Sequence, residues 1–367
     1  MTRVGPASAL PAWAVLAARP YPLRPALVGL ATLSTIVAAF AFVRAIPEVW
    51  GVDAMRNMAA ATAALHGSFG QVPDYLYSPL AAVLTVPASL LPPAIAIALW
   101  LAARLGILLV GAAIATRGLA RLDRVLIAIC LVTFLPLLYD LEVGNVTVLV
   151  LAAIAIVAWN PDRLMTGIPM GLLLATAPKP QMIPVLVWML VANRKALAGA
   201  ITTAGAATLA GIAVTGIAAY TTWIATLRAP AYLNTGGEII NLAIWPQPPI
   251  VVWVGTALAV IGWAMAMRRG YWAGLLGAMC LGLLLAPYTL IYGAGVLPAA
   301  VPAAARAAPR ATLLFAFAAP VALLLVFPLW VAAILGLAAL LPAVLWQAAP
   351  DHPGGRRTPR RGPEPVS

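Results

Sequence analysis

Long apolar runs separated by short polar segments fill the chain from Ala26 to near Gln347. A helix crossing hydrocarbon needs roughly 20 apolar residues, and loops rich in Lys and Arg face the cytoplasm; together these rules predict about twelve spans. They fall at 26–46, 94–116, 125–139, 145–159, 165–178, 181–193, 197–219, 250–267, 272–287, 289–304, 311–327 and 329–347. The run Pro79–Leu91 is set apart, because it is only about 20 Å long as a helix, Ser78 stands where a cap would precede Pro79, and Pro87 interrupts it. As a crossing it would turn Arg117, Arg121 and Arg124 outward. As a re-entrant or surface-lying helix it keeps them inside, with Arg194-Lys195, Arg268-Arg269, Arg306 and Arg310. Two larger outer loops result, 47–92 and 220–249, and both chain ends fall on the cytoplasmic side. In the first outer loop, Val52–Leu65 reads as an interfacial helix. Val52, Met55, Met58, Ala59, Thr62 and Leu65 share one face, Asp53, Arg56, Asn57 and Ala60 the other, and Gly67 ends it.

Composition supports this pattern. With 63% hydrophobic residues, 9% charged and a mean hydropathy of +1.00, the chain lacks the polar exterior of a soluble fold. The expected class is an all-α integral membrane protein, a polytopic bundle with extracytoplasmic juxtamembrane helices. Residues 1–25 form a cytoplasmic N-terminal segment, 26–347 the membrane domain, and 348–367 a disordered basic tail. Arg3, Arg19 and Arg24 before the first apolar run imitate a signal peptide, but the run continues to Val43 and later spans need an orienting start, which favours an uncleaved span. The net charge of +12 sits in small clusters between apolar runs, which fits inward-facing loops touching membrane lipid rather than nucleic acid. Cys130 and Cys280 lie in apolar runs as small fillers. No group has metal-ligand spacing, and no cofactor is expected.

The acidic residues sort unevenly across this topology. Glu48, Asp53, Asp74, Asp140, Glu142 and Glu238 face outward, whereas Asp123 and Asp162 sit among inward arginines. Asp53, in the first turn of its helix with Arg56 three residues on, fits a capping carboxylate as well as a general base. Asp74 reads as turn chemistry and His66 as solvated. Lys179, held in the hinge Pro178-Lys179-Pro180 between two short spans, is costly near hydrocarbon unless it meets an anion such as a lipid phosphate. Arg104, mid-span, demands a partner, either a structural ion pair or a substrate. Carboxylates and a buried cation on the outer face suggest chemistry on a lipid phosphate: a carboxylate takes the proton of an attacking hydroxyl, and Lys or Arg stabilises the leaving phosphate.

Gly51-Val52-Asp53, the helix to His66-Gly67, Tyr75-Leu76-Tyr77-Ser78-Pro79-Leu80, Glu142-Val143-Gly144-Asn145 and Pro178-Lys179-Pro180 with a span ending at Arg194-Lys195 together resemble glycosyltransferase family 87. This is a GT-C group of polyprenyl-phosphate-mannose-dependent mannosyltransferases. The resemblance implies an inverting hexosyl transfer, of mannose, from a polyprenyl-phosphate donor to a lipid or glycan hydroxyl at the extracytoplasmic face of the cell membrane. It implies Asp53 as general base and Lys179 at the donor phosphate; Arg104, from its mid-span position, is expected at the phosphate as well. Arg56, Tyr75, Tyr77, Glu142, Asn145, Tyr288 and Tyr292 are expected at the substrates. The chain departs from the family pattern at Tyr77-Ser78-Pro79, at Gly144-Asn145-Val146-Thr147, and at Pro287-Tyr288-Thr289 with Tyr292, where a histidine is common. Two other readings compete. A transporter or flippase of lipid-linked saccharide would place ionisable residues at mid-membrane in repeated halves. A catalytically dead assembly protein would use Asp53 only as a cap.

Overall fold

The computed structural model describes residues 32, 35–36, 51–69, 72, 75–115, 121–227, 243–245, 248–286 and 290–300, and every element among them is helical. In chain order the α-helices are α1 (Val52–Leu65), α2 (Pro79–Ser89), α3 (Pro93–Ala115), α4 (Arg121–Val132), α5 (Leu135–Val143), α6 (Thr147–Trp159), α7 (Ile168–Thr176), α8 (Ile183–Ala192), α9 (Arg194–Thr215), α10 (Ile217–Leu227), α11 (Pro249–Arg269) and α12 (Tyr271–Leu285). Short 3₁₀ turns at Leu164–Gly167 and Pro180–Met182 lead into α7 and α8, and a longer one covers Ile291–Ala299.

Among the described residues three helices are long and apolar enough to cross a membrane: Pro93–Ile114 in α3, Arg194–Thr215 in α9 and Pro249–Arg268 in α11. They match the expected spans 94–116, 197–219 and 250–267 closely. Large apolar side chains such as Leu99, Leu209 and Trp253 point out of them into the surroundings, where hydrocarbon would take them. The expected spans 145–159, 165–178, 181–193 and 272–287 appear as the shorter apolar segments Thr147–Trp159, Leu164–Thr176, Pro180–Ala192 and Tyr271–Leu285. The expected spans 311–327 and 329–347, most of 26–46, and the tail lie outside the described residues, so the count of twelve spans is an expectation from sequence.

Several expectations are corrected. The span 125–139 is two helices, because Thr133-Phe134 leaves the helical path before Pro136, which suits the first turn of α5. The segment Asp140–Val143 is the last turn of α5 rather than a loop. The segment read as a span at 289–304 is 3₁₀ over Ile291–Ala299, with Pro298 inside it. Ser78 does occupy the N-cap position of α2, but its hydroxyl makes no cap; it donates to the Ala175 carbonyl at 2.6 Å, tying α2 to α7. Pro87 does not break α2, which ends within a turn of it at Ser89. In the outer loop 220–249, residues to Leu227 belong to α10.

The core is centred on α6 and α12, whose faces are almost continuously buried. Trp188 of α8 donates to the Tyr271 carbonyl and the Tyr271 hydroxyl to the Ala158 carbonyl, each at 3.1 Å, so α6, α8 and α12 are joined by both packing and hydrogen bonds. One close approach matters for the site. A Cβ added at Gly282 of α12 would run into the Gln181 carbonyl, so this glycine lets the segment after Lys179 lie flat on α12. Gly282→Ala is expected to cost about 1–3 kcal/mol through backbone displacement, read as a lowered thermal midpoint in detergent.

Candidate active site

The site forms where α1 meets the turn between α5 and α6. Gly67, in the left-handed region, ends α1 as expected, and the backbone N–H groups of His66, Gly67 and Ser68 fold back onto the Ala63 and Ala64 carbonyls. At the other end, the Gly51 N–H donates to the Glu142 carbonyl at 2.7 Å. Ala54, Ala60 and Ala61 form the buried side of α1, while Met55 and Leu65 are exposed. The small side chains let α1 approach closely, and the flank carrying Asp53 faces the protein; the Asp53 side chain is 15% exposed.

The α5–α6 turn is held from several directions. Gly144 has φ +83°, and a Cβ there would meet Ala54 of α1 at 3.0 Å, so the position needs glycine for both conformation and space. Trp100 of α3 donates from Nε1 to the Gly144 carbonyl at 2.9 Å. Arg104, one turn further along α3, is 1% exposed. Its Nη1 donates to the carbonyls of Asp140 at 2.7 Å and Asn145 at 3.1 Å, and Nη2 to that of Leu141 at 2.9 Å. It also lies 3.5 Å from the Asp140 carboxylate. Asp140, fully buried, accepts from the backbone N–H groups of Thr147 at 2.9 Å and Val148 at 3.3 Å and so caps α6. The mid-span arginine therefore has its partner, and its donors are committed to the fold.

From this braced turn the Asn145 side chain reaches both expected reactive groups. Its Nδ2 donates to Asp53 Oδ2 at 2.5 Å, and its Oδ1 accepts from Lys179 Nζ at 3.1 Å and from the Val146 N–H at 2.7 Å. Asp53 Oδ1 faces Arg56, half-exposed, at 3.6 Å. The Lys179 ammonium lies over the rings of Tyr77 at 5.6 Å and Tyr292 at 5.7 Å. Burial pulls Lys179 below the ordinary lysine range, while the carboxylates of Asp53 and Asp140 push it back up. Burial, and then the charge of Asp53, keeps the Tyr77 hydroxyl well above its ordinary value.

Beside Lys179 lies a narrow cleft of about 20 Å³, with Thr147, Gln181 and Tyr292 at its polar positions and Val150, Ile154, Met182, Val185, Met279 and Val296 as apolar walls. Tyr75 is buried edge-on against Phe69 and Tyr77, and its hydroxyl has no partner among the described residues. Glu142 contributes its carbonyl to α1 while its side chain is half-buried. Tyr288 lies outside the described residues, as do Asp74, Arg228 and Glu238. Among the described residues no three His, Cys, Asp or Glu side chains cluster so as to hold a metal ion. Sequence reasoning did not single out Trp100, Asp140 or Thr147 as builders of the site. The signal for Asp140 was present, since a buried arginine needs an acid and Asp140 precedes the α6 start by seven residues.

Apolar helices around a carboxylate, an amide and an ammonium at the mouth of an apolar cleft fit a membrane protein with a polar candidate site. The model of glycosyltransferase family 87 matches residues 75–328, and the chain belongs to that family of membrane glycosyltransferases. No curated protein and no solved structure matches the chain. Asp53 precedes the matched region, so its place in the site rests on geometry.

Proposed function

We propose that the protein transfers a hexose, mannose, from a polyprenyl-phosphate donor to a hydroxyl of a lipid or glycan at the extracytoplasmic face, with inversion. The observation that carries this reading is the meeting of Asp53 and Lys179 on one amide beside an apolar cleft. A carboxylate base and a cation within one site are what transfer from a sugar phosphate requires. Asp53 takes the acceptor hydroxyl proton as that oxygen attacks the anomeric carbon. The bond from that carbon to the phosphate oxygen breaks, and the charge left on the lipid phosphate faces Lys179. Tyr77 and Tyr292 flank the ammonium and border the place where the sugar would sit. Arg104 acts on this reaction through the turn it braces, not on the phosphate.

Lys179→Ala is expected to raise the apparent KM for polyprenyl-phosphate-mannose about tenfold or more, with folded protein retained. Initial rates in proteoliposomes across donor concentrations check this, and a donor dependence equal to the parent's would remove the phosphate role.

A further inference from the structure

We infer that the Asn145 carboxamide is a positioning group that holds the Asp53 carboxylate and the Lys179 ammonium apart, keeping each from neutralising the other before substrate binds. The inference rests on the transferase reading of this site. Opposite charges sheltered from water attract strongly, and a direct Asp–Lys pair would make the carboxylate a poorer base and occupy the ammonium that a phosphate would meet. No such pair exists here. Among the described residues the ion pairs in the region join Asp53 to Arg56 and Asp140 to Arg104, and Asn145 stands between Asp53 and Lys179.

The amide can stand only one way round. Turning it over would set its NH₂ against the Lys179 ammonium and the Val146 N–H, and its oxygen against a carboxylate, so all three contacts would become repulsive. Its backbone cannot swing away either. The Asn145 N–H donates to the Asp140 carbonyl at 3.1 Å, its own carbonyl accepts from Arg104, and Gly144 before it is locked against α1. A neutral group fixed so firmly between two charges screens them without discharging either. Among the described residues Asn145 is the one hydrogen-bond acceptor for Lys179, which leaves two ammonium N–H bonds for phosphate oxygens. On Asp53, Oδ2 is held by the amide, while among the described residues Oδ1 meets a half-exposed arginine that an acceptor can displace.

Asn145→Ala tests this by opening the gap. Its structure is expected to show Lys179 Nζ within about 4 Å of the Asp53 carboxylate, the ion-pair distance. Its kcat at saturating donor should fall about a hundredfold, at the low end of what a positioned base contributes. Lys179→Met in the parent should also lower kcat about a hundredfold, but in the Asn145→Ala background the same change should leave kcat unchanged or raise it, since it releases the trapped carboxylate. Should Asn145→Ala fail to fold, Asn145→Asp keeps the shape and sets a full charge on Lys179; the donor KM should then rise about tenfold. Ammonium and carboxylate remaining apart, effects of the two substitutions that simply multiply, or a parental donor KM in Asn145→Asp would overturn the inference. The structural readout requires no turnover, so its failure is separate from loss of the base assignment, which Asp53→Asn reports alone.

Discussion

Asp53→Asn should lower sugar transfer by about a thousandfold while the protein still folds and inserts, because the substitution keeps the shape of the side chain and removes only its capacity to take a proton. The contacts at risk are few. Asp53 is bonded to Asn145 and paired at 3.6 Å with half-exposed Arg56, and interactions of that kind contribute about 1 kcal/mol to stability. A carboxylate serving only to cap α1 would show the reverse pattern, a modest loss of stability and unimpaired transfer. Parallel measurement of thermal midpoint and initial rate separates the two, and transfer at the parental rate would end the base assignment.

The second large effect concerns stability. Arg104→Ala leaves Asp140 as an uncompensated buried charge and removes a donor from each of the carbonyls of Asp140, Leu141 and Asn145. Breaking a buried ion pair by removing one partner costs about 3–5 kcal/mol, so the variant should lose most of its folded population in detergent. Arg104→Lys keeps the charge but not the planar fork that reaches three carbonyls, and should recover only part of that loss. Asp140→Asn, which still accepts from Thr147 through its amide oxygen, should be milder than Arg104→Ala. If Arg104→Ala were as stable as the parent while its donor KM rose, Arg104 would be a phosphate contact after all.

How much of this was legible in the sequence varies element by element. Helix α1 was, to the residue, because Gly51 and Gly67 punctuate it and its alternation of faces is regular over Val52–Leu65. The three long apolar helices were legible in outline, with ends a few residues away from those expected, since length and apolarity alone mark them. The break at Thr133-Phe134 was harder, because a proline in an apolar run can kink a helix, end it or start the next, and only packing against the neighbouring turn decides. Ser78 was placed at the right cap position with the wrong partner, because the Ala175 carbonyl that takes its hydroxyl comes from far along the chain. The candidate site shows the same limit. Asp53 and Lys179 stood out singly as charges in an apolar chain. That one asparagine bridges them, and that Arg104 and Asp140 fix that asparagine, depends on contacts between α1, α3, the α5–α6 turn and the hinge before α8.

The central claim, that Asp53 and Lys179 perform a single inverting displacement on a lipid-linked sugar phosphate, is tested most directly by the product itself. Purified protein given β-linked polyprenyl-phosphate-mannose and a panel of membrane lipid and glycan acceptors should form an α-linked mannoside, its anomeric configuration read by NMR, and Asp53→Asn should form it about a thousandfold more slowly. A β-linked product would contradict the account, because retention calls for a second displacement at the anomeric carbon that one carboxylate acting as a base does not provide.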